Sequence, residues 1–329
     1  MVPKRLEDKV AELHEKAIII DAQNACIESV DYLEKIRGGG VATIRKNLGP
    51  HHYSLRHSLD EASGWYSKFE GEDSTMTLVC TAEDIRRAKR EEKLGVILGT
   101  NSAKLFDDDL NMVKVFYRLG VRVVQLIYNN KDSLGDGCTE RTNCGLSKLG
   151  LQMIEEMNRL GILVDLSHAG YATSMDAIEH SKESVSFTHS NPRALCDNPR
   201  NIPDGLIEAC AEKGGVIGVN AYPAFVSKKL EPSPEDLLDH VDYLVKLVGV
   251  NHVGFGLDIT EGHPKERFEV LIRSAPHVYP PWPWHFAISS ASEFETLTAG
   301  LVARGYSDGE VLKLLGQNFL RLFEHVWRE

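Results

Sequence analysis

The chain has 329 residues, 42% hydrophobic and 26% charged, an ordinary globular balance that excludes disorder along its whole length. Asp and Glu outnumber Lys and Arg by 48 to 37, for a formal net charge of −11. That sign argues against a nucleic-acid or anionic-membrane partner, because phosphate binding is driven by basic surface. No apolar run approaches the roughly 20 residues that span a bilayer.

The opening residues lack the apolar centre of a secretion signal. Leu6, Val10, Leu13 and Ala17 recur at helical spacing, which predicts an amphipathic helix over residues 1–16. Residues 17–21 are the first of eight short apolar runs that end in polar side chains. The others are 41–44, after the turn Gly38-Gly39-Gly40, then 95–99, 121–127, 162–166, 185–189, 215–219 and 252–256. Helical periodicity fills most of the intervals, at 81–92, 105–119, 149–160, 173–181, 204–213 and 233–248. Thr81 precedes Glu83 and Asp84, and Ser233 precedes Glu235 and Asp236, so acids sit at positive helix ends. Gly120, Gly161 and Gly214 close helices where a positive φ is needed.

Apolar strands alternating with helices mean a parallel sheet covered by helices. Eight such units predict an α/β fold, a (β/α)8 TIM-type barrel with additional C-terminal helices. A single domain over 1–329 is expected, with 292–329 as helices packed on the barrel; an open doubly wound sheet is the alternative. The run Tyr279-Pro280-Pro281-Trp282-Pro283-Trp284 belongs to the loop after the eighth strand. The six cysteines, Cys26, Cys80, Cys138, Cys144, Cys196 and Cys210, form no CxxC pair. Reduced thiols in a cytoplasmic protein are expected.

In a barrel the active site gathers at the carboxyl ends of the strands. The residues there are Asp21, Gln23, Asn101, Tyr128, His168, His189, Asn220 and Asp258. Two histidines on successive strands and a late aspartate form a common zinc ligand set with room for water. Asp258 would ligate or act as general base. A structural, hydrogen-bonded histidine is the plain alternative for either imidazole. Arg200 follows the sixth strand and can clamp a substrate carboxylate, or simply pair with Asp197 or Asp204. Segment 137–141 overhangs the same mouth. Cys26 and Cys138 are candidate nucleophiles without a histidine base nearby in sequence. His51, His52, His57, His263 and His285 fall in expected loops, with His263 near enough to Asp258 to reach the mouth. His180, His240 and His325 are expected on outward helix faces.

The runs Met157-Asn158-Arg159-Leu160-Gly161-Ile162-Leu163-Val164-Asp165-Leu166-Ser167-His168, Thr188-His189-Ser190-Asn191-Pro192-Arg193 and Pro199-Arg200-Asn201-Ile202-Pro203-Asp204 carry a resemblance. So does Val248-Gly249-Val250-Asn251-His252-Val253-Gly254-Phe255-Gly256-Leu257-Asp258. Together they look like the renal (membrane) dipeptidase family of zinc metallopeptidases. That resemblance implies an amidohydrolase-type barrel that cleaves dipeptides or related N-acyl amino acids, commonly with two zinc ions. Carried over, His168 and His189 match two metal ligands. Arg200, with Asn201 beside it, matches the grip on the substrate carboxylate. Asp258 matches the late aspartate, and Tyr128 stands where a substrate-contacting histidine is expected.

The first-metal ligands of the family are missing. Its His-x-Asp pair falls on Gln23 and Ala25, and its bridging Glu falls on Asn101, as in some bacterial branches. An amide oxygen is a weak zinc ligand and alanine is none. The implied protein is a hydrolase with one zinc on His168 and His189, helped by Asp258 or Asn101, acting on a dipeptide or small N-substituted amino acid. A metal-free barrel acting as a binding protein is the second reading. A lyase or isomerase using Tyr128, Asp258 or Cys26 is the third. A homodimer is expected, because Phe319, Leu322, Phe323 and Trp327 form a stripe on the last helix and relatives often pair.

Overall fold

Nine strands form among the described residues: β1 (Ile19–Asp21), β2 (Val41–Asn47), β3 (Met76–Leu78), β4 (Leu94–Thr100), β5 (Val121–Gln125), β6 (Leu163–Asp165), β7 (Ser186–Phe187), β8 (Val216–Val219) and β9 (Val253–Phe255). The computed structural model describes residues 4–49, 55–71, 74–279, 281 and 283–328. Every pairing is parallel, and eight strands close a ring in the order β1, β2, β4, β5, β6, β7, β8, β9. Each stave is one of the eight runs expected from sequence. The closed TIM-type barrel is therefore the fold, and the open doubly wound sheet is excluded.

β3 is the addition. One edge of β4 runs along β2 from Thr43↔Gly95 to Asn47↔Gly99. The other edge is shared: β3 takes Leu94, Gly95 and Val96, and β5 takes Leu98, Gly99 and Thr100. Gly120 has a φ of 89° and a Cβ there would lie 3.0 Å from Leu78, so the chain enters β5 through the gap β3 leaves.

The caps stand where the sequence puts them. Thr81 and Ser233 each make a full capping box, with Asp84 and Asp236 as the returning acids. The expected helix 105–119 is instead a 3₁₀ turn, Ala103–Phe106, and a helix, Leu110–Arg118. Asp107 and Asp108, at φ 50° and 60°, separate them, and the Asp109 side chain caps the second. Helix Lys4–Lys16 packs on helix Phe294–Ala303, where His14 Nδ1 lies 3.0 Å from Thr298 Oγ1.

The C-terminal stripe is not a surface. Phe319, Leu322 and Phe323 are buried with Ile20, Ile97, Val123, Leu163 and Val216 in one apolar cluster that floors the barrel. Phe323 stacks on Trp327 with centroids 4.2 Å apart. Two glycines allow this approach: a Cβ on Gly254 would lie 2.7 Å from the Phe319 ring, and one on Gly316 would strike the Ile18 carbonyl. The stripe seals the floor rather than offering a dimer face.

His240 also departs from expectation. It lies on the buried face of helix Pro234–Val248, 1% exposed, and donates from Nε2 to the Val226 carbonyl at 2.7 Å. His57 sits on helix Leu55–Phe69 rather than in a loop. His51 and His52 lie outside the described residues. Among the described residues no helix is long and apolar enough to cross a membrane.

Candidate metal and substrate site

Above the apolar floor the barrel interior turns polar. Arg45 on β2 reaches Asp165 on β6 at 2.7 Å, and these strands are not neighbours in the ring. The guanidinium therefore spans the barrel, and it is 1% exposed. Gly99 makes the room, since a Cβ there would strike Arg45 Nε. Burial alone would raise the Asp165 carboxyl, but Arg45 and the Thr188 hydroxyl outweigh it and hold it at about 2. Burial also pulls Arg45 downward, yet a guanidinium starts so high that it stays charged.

Both predicted histidines stand at the mouth. His168 has a φ of 71° and Asp258 a φ of 54°, and Asn129 beside them has 57°. Left-handed conformations are uncommon in residues with a Cβ and cluster at functional sites. His168 Nδ1 lies 2.6 Å from Asn129 Oδ1. A carbonyl oxygen only accepts, so the imidazole donates there from Nδ1. The ring stacks on Tyr128, with centroids 4.1 Å apart and planes at 21°. His189 Nδ1 lies 2.8 Å from Thr188 Oγ1, and burial, then Arg200, holds this imidazole well below its usual range, so it is neutral.

The two Nε2 atoms face each other at 3.2 Å. Two nitrogens bound to one tetrahedral zinc at 2.0–2.1 Å would be roughly 3.3–3.4 Å apart. The pair thus fits a single ion. The first-metal positions do not fit a second. Asn47 Nδ2 donates to Gln23 Oε1 at 3.1 Å and to Asn101 Oδ1 at 2.6 Å, and Asn101 Nδ2 donates to the Gly49 carbonyl at 3.3 Å. Gln23 Nε2 continues to Asp258 Oδ1 at 3.5 Å. A chain of neutral amides crosses the space, and Ala25 adds nothing to it. Among the described residues no group of three or more His, Cys, Asp or Glu is arranged to hold a metal.

Asp258 meets amides on both oxygens, with Asn220 Nδ2 3.4 Å from Oδ2. Burial raises its carboxyl to about 6, against the pull of Arg200, Gln23 and Asn220. Arg200 is 1% exposed and pairs with neither Asp197 nor Asp204: Asp197 meets Arg193, and Asp204 accepts from Tyr243. Arg200 donates to the His189 carbonyl at 2.7 Å and to Ser190 Oγ at 3.2 Å, and its Nε is buried without a protein partner. Arg200, Asn201 and His168 line one cavity of about 220 Å³. Asn201 Nδ2 is committed to the carbonyls of Cys196 and Phe225 at 2.8 and 2.9 Å, so it shapes the loop. Tyr128 is pushed well above the usual phenol range by burial, then by Tyr279 and Asp258, and stays a neutral phenol.

Neither cysteine is an activated nucleophile. Burial drives Cys138 up to about 11 and also raises Cys26, so both stay thiols. His263 donates to the Ala25 carbonyl at 2.8 Å and lines a second cavity with Gln23, Asn47, Asn101 and Lys46. Sequence reasoning passed over Arg45, Asn129, Asp165, Thr188 and Tyr279. Tyr279 arrives from the loop after β9 and accepts from Asn129 Nδ2 at 3.4 Å. With Tyr222, Phe225, Phe268 and Trp284 it forms an aromatic cluster beside the mouth.

Known proteins share the fold. The family model described as membrane dipeptidase, peptidase family M19, matches residues 41–269. Dipeptidase tcpJ of Claviceps purpurea is 28% identical over 279 residues, which are 84% of this chain and 61% of that protein. An uncharacterized dipeptidase of Schizosaccharomyces pombe is 30% identical over 257 residues, 76% of this chain and 56% of its own. The chain thus spans about three fifths of the length of these relatives. An amidohydrolase from Pseudomonas aeruginosa superposes with a TM-score of 0.90 at 32% identity, covering 97% of this chain and 99% of that one. A metallo peptidase from Rhodobacter sphaeroides, solved with a phosphinate mimic of the dipeptide L-Ala-D-Ala, shares the fold at a TM-score of 0.80 and 20% identity, over 94% and 100% of the two chains. The chain belongs to the membrane dipeptidase family, peptidase family M19.

Proposed function

We propose that the chain is a one-metal hydrolase of the dipeptidase type, acting on a dipeptide or a small N-substituted amino acid. The observation that carries this reading is the pair of Nε2 atoms facing each other at 3.2 Å on His168 and His189. These residues would hold the metal, proposed as zinc, which supplies Lewis acidity toward a carbonyl and activates water. Asp258 is the general base: a carboxyl lifted to about 6 is ionised at neutral pH yet more basic than an ordinary aspartate. It accepts a proton from water as water adds to the scissile carbonyl, and returns it to the amine as the C–N bond breaks. Arg200, which lines the same cavity as His168, holds the substrate carboxylate, and Asn201 and Asn101 shape the walls. Tyr128 keeps the His168 ring in plane and shields it from water. A cavity of about 220 Å³ suits a substrate smaller than the ligands of typical drug-sized sites at roughly 300–1,000 Å³.

A cytoplasmic, reducing setting is part of the proposal, supported by six free cysteines. A homodimer is not supported by the C-terminal stripe, which is internal. The absence of a third strong ligand among the described residues favours a second reading, a binding protein that holds a dipeptide without cleaving it.

The test is hydrolysis of a panel of dipeptides and N-acyl amino acids by zinc-loaded protein. Turnover that falls about 100-fold or more in His168→Ala and Asp258→Asn supports the proposal. Full activity in His168→Ala overturns it. Tight dipeptide binding without turnover by the zinc-loaded protein also overturns it, in favour of the binding protein.

A further inference from the structure

We propose that Arg45, Asp165 and Thr188 form a positioning relay that fixes the His189 proton on Nδ1, so that Nε2 presents a lone pair to the site. The inference deepens the one-metal reading and rests on it for its purpose, though not for its geometry.

The relay follows from counting donors. Asp165 Oδ1 accepts from the backbone N–H of Ser167 at 3.0 Å and of Thr188 at 3.1 Å. Its Oδ2 accepts from Arg45 Nη1 at 2.7 Å and from the Thr188 hydroxyl at 2.6 Å. All four acceptor positions of the carboxylate are filled, so Asp165 gives no proton to any neighbour. The single Thr188 proton is therefore spent on Asp165. Arg45 Nη1 donates to Thr188 Oγ1 at 3.0 Å and occupies one of its lone pairs. The remaining lone pair faces His189 Nδ1 at 2.8 Å. Only a donor completes that contact, so the proton of the neutral ring is on Nδ1 and Nε2 is bare.

Arg45 acts twice. It compensates the buried carboxylate, and its second nitrogen donates to the Thr100 carbonyl at 2.8 Å, which anchors the fork to β4. On the other side Asn129 Oδ1 accepts from His168 Nδ1 at 2.6 Å, so both rings carry a hydrogen on Nδ1. The bare Nε2 of His189 then faces His168 Nε2 at 3.2 Å, where a cation would take it as a ligand. The barrel interior, not the mouth, sets this up.

The experiment uses the full chain, free of metal and labelled with nitrogen-15, at a pH where the imidazole is neutral. Two-bond proton–nitrogen spectra report the tautomer of His189, and chelator competition reports zinc affinity. The variants are Thr188→Val, which keeps shape and removes the acceptor, and Thr188→Ser, which restores the hydroxyl. The expected result is an Nδ1–H tautomer in the parent chain. In Thr188→Val a mixed tautomer and about 10–100-fold weaker zinc binding are expected, both restored in Thr188→Ser. An Nε2–H tautomer in the parent chain overturns the relay, whether or not any variant folds. So do an unchanged tautomer and affinity in a folded Thr188→Val. A parent chain with the Nδ1–H tautomer and no hydrolytic activity would end the hydrolase reading and leave the relay standing.

Discussion

Replacing Arg45 with Met tests whether the barrel interior depends on its buried ion pair. The side chain keeps its length and loses its charge, so the Asp165 carboxylate is stranded at 0% exposure. Breaking such a pair by removing one partner costs about 3–5 kcal/mol. The depression of Asp165 from 3.8 to about 2 gives an independent scale of roughly 2 kcal/mol for interactions that favour its ionised form. The pH dependence carries the sign. In the parent chain the folded value lies below the unfolded one, so this stability is complete above about pH 4 and is lost as pH falls toward 2. Without Arg45 burial prevails and the folded value rises above the unfolded one. The variant then loses stability as pH rises above about 4. Urea denaturation at several pH values reads both effects, and Arg45→Met/Asp165→Asn should recover part of the loss. A cost below about 1 kcal/mol, or a double variant no more stable than the single one at neutral pH, would refute the ion-pair reasoning.

The remaining predictions are smaller in scope. Gly99→Ala should cost about 1–3 kcal/mol by thermal or urea unfolding, because the new Cβ meets Arg45 Nε and the interior has no slack. Asp21 is raised to about 7 by burial despite bonds from Asn24 and Leu257, so its folded value exceeds the unfolded one. Stability measured between about pH 4 and 7 should therefore fall as pH rises, and Asp21→Asn should flatten that slope. Arg200→Ala should lower kcat/KM about 10–100-fold for substrates with a free carboxylate, and far less for their amides, if it grips that group.

The staves were legible because a strand buried on both faces reads as a continuous apolar run, and the barrel has eight of them. The exceptions have physical causes. β3 is three residues long and pairs along one edge only, too little to leave a pattern. The sequence reading stopped β2 at Ile44 because Arg45 and Lys46 are charged, while the structure carries it to Asn47. A charge inside a parallel strand was itself the signal. It demands a buried opposite charge, and Asp165, at the end of an equally apolar run, is the one that the fold supplies. His240 was legible too: Leu237, His240, Val241 and Leu244 share one helical face, and three of them are plainly apolar. The mouth residues His168, His189 and Asp258 announced themselves by strand-end position, and Arg200 by its place in the loop after the sixth strand. Asn129 and Tyr279 did not, since an amide and a phenol in loops carry no spacing rule, and only the fold brings them to His168.

The central claim is that one ion binds between His168 and His189, and zinc counted per chain tests it most directly. Elemental analysis after saturation and removal of excess metal should give about one zinc per chain. The double variant His168→Ala/His189→Ala should retain almost none. Two zinc ions per chain, or a double variant that keeps its metal, would contradict the one-ion site.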